Sequence, residues 1–496
     1  MEGIEQITQA TLDEVNVRKS QTAGIYSSTG IVGVDLSGLV SLVPVNVPAR
    51  NNTSAFPRVI STDGAKVATW RALLNVNSGQ SDAAVGYDYA GSLVNISEQD
   101  VYAPYVPMAK AGRVTLDAVG ISRNYADALA VSELQTLMQL FIFQDIHIIN
   151  SQNWSLGTVP APTATSSSTG GSIAAGNTLY VKVCARSGAN YYIGGNTAAS
   201  SQVAITVGNS TSTNSVTATL AAAVKGAVAY DWYVGTAPDT TQYYYTTTTT
   251  TSVVITAIPT TAQAVPTSLQ LISATAPAST APTADTSFSA NWYNGVIASS
   301  IGDYGSTGPV TPGTGTATGA TFIDNGGNAP ALSGGGIDIL DKINDAQWSA
   351  VQLSPTAYMC NSTQVDEISK QILGSSSATT FLPPTDADAR TNLAGGGFVG
   401  RYINRAAGGV PVSIEVHPHV APGTIIARTD RVPFPGANIG TAFQVRALYD
   451  SMRFDYAANL STNTLGGGPR WDYEVRSLET LVNTAPSCQA IVSNIG

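Results

Sequence analysis

The stretch NYADALAVSELQTLMQLFIFQDIHIIN, residues 124–150, decides how the rest of this chain is read. Val131, Leu134, Met138, Phe141 and Ile148 approximate one apolar stripe at helical spacing, and Leu137 and Ile142 widen it. Asn124 stands where an N-cap belongs, with Asp127 three residues on, an arrangement that also suits the helix dipole. At ~1.5 Å per residue such a helix runs about 40 Å, the length of a structural spine.

Working outward, the helix runs into an interruption. After Gly157 come PAPTATSSST (160–169), GNTLYVKVCARS (176–187), SQVAITV (201–207), NSVTATLAAA (214–223), AYDWYVGTAP (229–238) and TSVVITAIP (251–259). These short runs, separated by Gly, Ser, Asn and Pro, predict an antiparallel β-sandwich inserted over residues 158–267. Leu179, Val181 and Val183 alternate on one strand and Tyr230, Trp232 and Val234 on another, the expected inner faces. The module resembles an immunoglobulin-like or fibronectin type III-like domain, most clearly in its AYDWYVGT strand. The tract of six threonines, Thr246–Thr251, after Tyr243–Tyr245, is expected to be exposed: a contact surface for neighbours or host-cell glycans, or simply a strand edge.

Upstream of the helix, Ile4, Ile7, Leu12 and Val15 suggest a short amphipathic helix, and the segment up to Pro57 reads as an extended arm unable to bury a core alone. KVATWRALLNV (66–76) and AVGYDYAGSLVNIS (84–97) form a long hairpin around a polar tip, which either packs on a neighbour or stands as a solvent-exposed flap. Downstream, residues 268–336 are loop-rich, with low-complexity GSTGPVTPGTGTATG (305–319). Helical patterns return with Ile337, Leu340, Asn344 and Trp348, and with Val365, Ile368 and Ile372 after a cap near Ser362; the strand TAYMC lies between them. Beyond Gly400 come the strand runs PVSIEVHPHV (411–420), TIIARTDRV (424–432), AFQVRALYDSMRFDY (442–456), YEVRSLETLVNT (473–484) and CQAIVSNI (488–495).

The chain has 496 residues, too many for one core, and only 11% are charged, against ~25% for ordinary soluble proteins. A net charge of −10 argues against a dense basic nucleic-acid-binding face. Cys184, Cys360 and Cys488 match no zinc or CxxC spacing and read as reduced, buried residues. The acidic, polar start MEGIEQITQATLDEVNVRKSQ has no secretory core, and no run reaches the ~18 apolar residues of a membrane span, so synthesis in the cytoplasm is expected.

Chemistry-bearing constellations are sparse. His417 and His419, two apart in an expected strand, could share a metal, but an edge or interface role outweighs that; His147 reads as a hydrogen-bonded or exposed helix residue. The triple glycines at 334–336, 395–397 and 466–468 complete no phosphate-loop pattern and read as turns, and Asp386 and Asp388 sit in a Pro-led loop. No catalytic, cofactor-binding or metal-ligating residue is assigned, and a non-enzymatic structural protein without a cofactor is expected.

The order of segments resembles the major capsid proteins of tailed bacteriophages, the Hong Kong 97-type fold. YVPMAKAGRVTLDA (105–118), SELQTLMQLFIFQDI (132–146), NWYNGVIAS (291–299), DILDKINDAQWSAVQLSPTAYMCNSTQVDEISKQIL (338–373) and YEVRSLETLVNTAPSCQAIVSNIG (473–496) carry the likeness. The resemblance implies an α+β fold with an N-terminal arm (1–61), an E-loop (62–106), a peripheral domain with the spine helix (107–157, resuming at 426–478) and an axial domain (268–425, closed by 479–496), around the inserted all-β sandwich (158–267). It implies a virion protein that assembles as hexamers and pentamers into an icosahedral shell around double-stranded DNA, with the module displayed outside. Implied partners are further copies of the chain, a scaffolding protein, portal and decoration proteins, and DNA held without sequence specificity; no membrane is involved. Some members join a lysine to an asparagine with a glutamate assisting; Lys66 is the only lysine of the hairpin, and no such pair matches it. The competing reading is a cell-surface or tail-fibre adhesin built on the β-module, to which the spine helix and hairpin would be foreign.

Overall fold

The computed structural model describes residues 25–27, 30–32, 56–61, 66–75, 87, 97–122, 127–208, 212–238, 242–259, 280–304, 310, 320–373, 399–433, 440–456 and 470–496. The expected helix at Ile4–Val15, most of the arm, most of the hairpin tip, Asn124, nearly all of the 305–319 tract, Asp386, Asp388 and the glycine runs 395–397 and 466–468 lie outside these residues. The chain forms two compact units, each assembled from separated stretches. The first comprises Met1–Ala68, Pro104–Ile146 and Gln444–Leu481; the second comprises Thr69–Ala103, His147–Phe443 and Val482–Gly496. Among the described residues no helix is long and apolar enough to cross a membrane.

The first unit is built on a four-stranded sheet in the order Arg58–Ile60, Phe443–Tyr456, Arg470–Asn483, Val106–Thr115. The last two strands pair antiparallel without a break from Arg470↔Thr115 to Glu479↔Val106. Alternation along Val106–Thr115 is regular, buried or half-buried residues on one face and exposed Pro107, Ala109, Ala111, Arg113 and Thr115 on the other. Arg58–Ile60 adds in parallel to Val445–Ala447, so this part of the expected arm is a strand of its own chain's sheet. Arg58 ion-pairs with the fully buried Glu479.

The long helix spans Ala128–Asn150 rather than starting near Asn124. Asp127 is its cap: the carboxylate accepts the N–H groups of Leu129 (3.0 Å) and Ala130 (3.3 Å). Of the expected stripe, Leu134, Phe141 and Ile148 are buried, and Leu137, expected to widen it, packs with Leu129 and Leu140 on Val114, Tyr473 and Val475 of the sheet. Along the same face the Tyr473 hydroxyl bonds to the hydroxyls of Ser132 (2.7 Å) and Thr136 (3.1 Å). About two turns further, Gln144 donates to Ser477 (2.7 Å) and Glu479 (3.3 Å). The helix is apolar on more than one side, and these polar partners select the side. Gly112, opposite Tyr473 in the register, makes room for it: a Cβ there would lie 2.2 Å from the tyrosine ring.

The second unit contains a six-stranded mixed sheet in the order Thr321–Asp324, Ala490–Ser493, Ile425–Arg428, Ala357–Cys360, Val410–Val416, Arg401–Asn404. Helices Asp338–Val351 and Ser362–Leu373 share a core with one face of it, through Leu340, Ile343, Val365 and Ile368 against Tyr358, Cys360, Val412, Ile425 and Val492. The inward row of the first helix is Ile339, Leu340 and Ile343, whereas Trp348, expected inside, is exposed. The second helix is capped by Asn361, whose side chain accepts the Thr363 N–H at 3.1 Å. The expected division at 425/426 falls within the strand Ile425–Arg428 of this sheet. The base of the hairpin, Val67–Asn75 paired with Ser97–Pro104, is buried on its own chain: Trp70 Nε1 donates to the Asn483 carbonyl (2.9 Å) and Ser487 Oγ to that of Leu73 (3.1 Å).

Residues 163–255 of the second unit form two antiparallel sheets. One has the order Ser252–Ile255, Ser215–Thr219, Thr163–Ser167; the other Tyr243–Thr248, Ala227–Gly235, Thr178–Ser187, Val203–Thr206. Leu179, Val181, Val183, Tyr230, Trp232 and Val234 are all buried, together with Val216, Ala218, Val253 and Ile255 of the first sheet. The strand Ala227–Gly235 is buried on both faces, which the alternation does not show. Its second face is covered by the helix Gly188–Ile193 and by residues 196–200 and 281–287, tied together by Thr286 N–H to Asn196 carbonyl (2.8 Å) and Ala281 N–H to Gln242 carbonyl (3.1 Å). The module therefore engages the chain well beyond residue 267.

Candidate functional site

The three histidines are all buried, and none stands in a strand. His147, expected to be hydrogen-bonded or exposed, packs edge-on to Trp292 with ring centroids 5.2 Å apart. His417 and His419 lie in the turn after Val410–Val416, not in an edge strand. The His419 backbone N–H donates to His417 Nδ1 at 3.1 Å, which places the proton of neutral His417 on Nε2. Their rings meet edge to face at 5.9 Å, and Tyr192 of the Gly188–Ile193 helix packs on His419 at 5.6 Å. The Tyr192 hydroxyl donates to the Pro418 carbonyl (3.2 Å), and Asn150 Nδ2 donates to that of His419 (2.7 Å). This arrangement fixes a turn by its backbone.

Gly334 and Gly335 form the turn between Leu332–Ser333 and Gly336–Ile337, at φ 58° and 82°. That conformation is the reason for the glycines. All three cysteines are free and buried. Burial pushes the Cys360 thiol up to about 12 and that of Cys488 up to about 11, and raises Cys184 as well.

A densely bonded constellation lies where the threonine tract meets the six-stranded sheet. Thr246–Thr248 end the edge strand Tyr243–Thr248, as the strand-edge alternative has it, and Thr249–Thr251 follow in a turn; all six are half-buried to buried rather than exposed. The Thr251 N–H donates to Asn494 Oδ1 (2.9 Å); Asn494 Nδ2 donates in turn to Thr251 Oγ1 (3.1 Å) and Asp324 Oδ1 (2.6 Å). Asp324 also accepts the N–H groups of Ala223 (2.7 Å) and Gly326 (2.8 Å). Burial pushes the Asp324 carboxyl up, but these two N–H groups and the Asn494 amide outweigh it and hold the group below its ordinary value. Nothing in the tract's composition distinguished a docked turn from an exposed edge; the nearest sequence signal is the Asp324-Asn-Gly-Gly-Asn328 turn it docks beside.

Large apolar side chains are exposed in both units. Val59, Ile60, Met452, Phe454 and Trp471 are exposed in the first, Ile60 at 62%. In the second, Ile403, at 59%, lies on the strand Arg401–Asn404 at the end of the six-stranded order, and Val410 on the strand beside it.

No family model matches the chain, and no curated protein matches it. Solved structures align with it over most of its length. The capsid of a native GTA particle has 6% identity, covers 95% of each chain and has a TM-score of 0.42. The capsid of cyanophage A-1(L) has 9% identity, 96% coverage of each chain and a TM-score of 0.41. A chain of the structure of Mycobacterium phage Patience has 10% identity, covers 94% of this chain and 90% of its own, and has a TM-score of 0.35.

Proposed function

We propose that this chain is a shell-forming capsid subunit of the Hong Kong 97 type carrying an immunoglobulin-like module. The observation that carries the proposal is the pairing of an interleaved two-unit architecture with apolar side chains left uncovered in both units. The first unit is assembled from one stretch before and two stretches between those of the second, with a long helix on its sheet. Val59, Ile60, Met452 and Phe454 there, and Ile403 and Val410 in the second unit, expose apolar area that copies of the same chain would cover. Heterologous contacts of this kind close into rings, which suits five-fold and six-fold capsomers in an icosahedral virion shell around DNA. In this reading the arm and the hairpin tip clasp neighbouring copies, and the hydroxyl-rich, nearly uncharged module faces outward.

Electron microscopy of the purified chain tests the proposal. Shells or capsomer rings are expected, and loss of both, with the fold retained by circular dichroism, is expected for Met452→Asp/Phe454→Asp. Monomers or fibres alone from the unaltered chain would overturn the shell reading in favour of an adhesin-type protein.

A further inference from the structure

We infer that the β-module is a brace for its own chain: its threonine turn locks one end of the six-stranded sheet, so that the order of residues 490–496 depends on the module. This inference is independent of the shell reading, because every contact it uses lies within the second unit.

The strand Ala490–Ser493 runs between Thr321–Asp324, parallel, and Ile425–Arg428, antiparallel. Its register places Asp324 opposite Ser493 and Ile425 opposite Val492, so Asp324, Asn494 and Gly423 gather at one end of the sheet. The module reaches that end from two of its turns. Ala223 bonds to Asp324, and Thr251 bonds through its backbone N–H and its hydroxyl to the Asn494 side chain. Asn494 is buried and sits at φ 60°, the left-handed region that side-chain residues other than Asn and Asp rarely adopt. Its three side-chain hydrogen bonds go to Thr251 and Asp324, two of them to the module.

The host backbone is shaped to receive the turn. Gly423, at φ 78°, has no room for a side chain: a Cβ would lie 2.7 Å from that of Thr249 and 3.1 Å from the Ile495 carbonyl. Gly327, at φ 76°, donates to the Asn494 carbonyl at 2.9 Å, with the Thr250 side chain beside it, 3.7 Å from where a Cβ would stand. Ile495 N–H to Gly423 carbonyl (3.3 Å) and Gly496 N–H to Asn328 carbonyl (3.1 Å) continue the seam. The same connection is gripped a second time, where Tyr192 holds the 417–419 turn. Thus the module holds the approach to Ile425–Arg428 at both ends, through Tyr192 near Pro418 and Thr249 against Gly423. A module joined only through its two linking segments would need none of these contacts.

Hydrogen–deuterium exchange of the full chain tests the brace. Thr251→Ala, a change made in the module alone, is expected to speed exchange of the amides of residues 490–496 about three- to tenfold, the range for one lost hydrogen bond. Asn494→Ala is expected to exceed it, and the double variant to add little to Asn494→Ala, because both remove the same contact. Thr165→Ala, on an exposed strand of the module remote in register from the seam, is expected to leave residues 490–496 unchanged. If Thr251→Ala loosens only module peptides and leaves 490–496 at wild-type exchange, the brace is refuted. Should Asn494→Ala fail to fold, the Thr251→Ala measurement decides alone.

Discussion

Breaking the ion pair between Arg186 and Asp231 should unfold the β-module at a far lower temperature, while replacing both partners with apolar residues should restore much of the loss. Both side chains are fully inaccessible, with Arg186 Nε 2.7 Å from Asp231 Oδ2. Asp231 accepts two further bonds, from Asn196 Nδ2 (2.9 Å) and Thr247 Oγ1 (2.5 Å), whereas Arg186 has one more, Nη1 to the Asn190 carbonyl (3.0 Å). Among the described residues Arg186 Nη2 has no hydrogen-bond partner. Taking away the carboxylate therefore strands a buried guanidinium with little to compensate it, at a cost of about 3–5 kcal/mol. Even the lower figure corresponds to a fall of about 12–24 °C in the midpoint of a transition of module size. Asp231→Asn keeps the shape and removes the charge, so calorimetry of this variant measures the electrostatic part. Arg186→Met/Asp231→Leu removes both charges and is expected to recover most of the stability. A shift of less than about 1 kcal/mol in Asp231→Asn, or a double variant less stable than either single one, would refute the reasoning.

Three further outcomes follow from local geometry. Gly112→Ala should destabilise the first unit by about 1–3 kcal/mol, because its Cβ would overlap the Tyr473 ring, and Gly112→Ala/Tyr473→Ala should relieve the overlap; chemical denaturation compares them. Asp127→Ala should cost about 1 kcal/mol and speed exchange in the first turn of the long helix, with Asp127→Ser close to wild type. The three thiols should stay unreactive to a disulfide reagent at pH 8 and react together on unfolding, because burial raises each one and the thiolate is the reactive form; rapid labelling of the native chain would contradict this.

Periodicity in the sequence located the elements better than it assigned their faces. Most strands of 163–255 and beyond Gly400, and the helices at 338–351 and 362–373, lie where alternation or helical spacing placed them; Tyr243–Thr248 and Arg401–Asn404, which show no such run, were not placed. Ala227–Gly235 misled because a strand buried on both faces carries polar Asp231 only by virtue of Arg186, whose contribution comes from another strand. The helix Gly188–Ile193 was missed: GANYYI is short, aromatic and preceded by strand pattern, and only Ser187 as its cap signals it. His417 and His419 were misplaced by one short turn, since HPHV alternates like a strand but is closed by the His419 N–H bonding back to His417.

From its sequence alone this chain is a mixed α+β protein with a long helix, an interrupting β-module and little charge, because local spacing and composition follow from short-range sterics and hydropathy. Tertiary structure decided which side of the helix meets its sheet, since Tyr473, Ser477 and Glu479 arrive from more than three hundred residues away and bond polar side chains on that side. It also decided that the end of the threonine tract, Thr249–Thr251, is a docked turn. Whether a row of hydroxyls faces solvent or a neighbour depends on what is brought against it, here Asn494 and the bare backbone of Gly423.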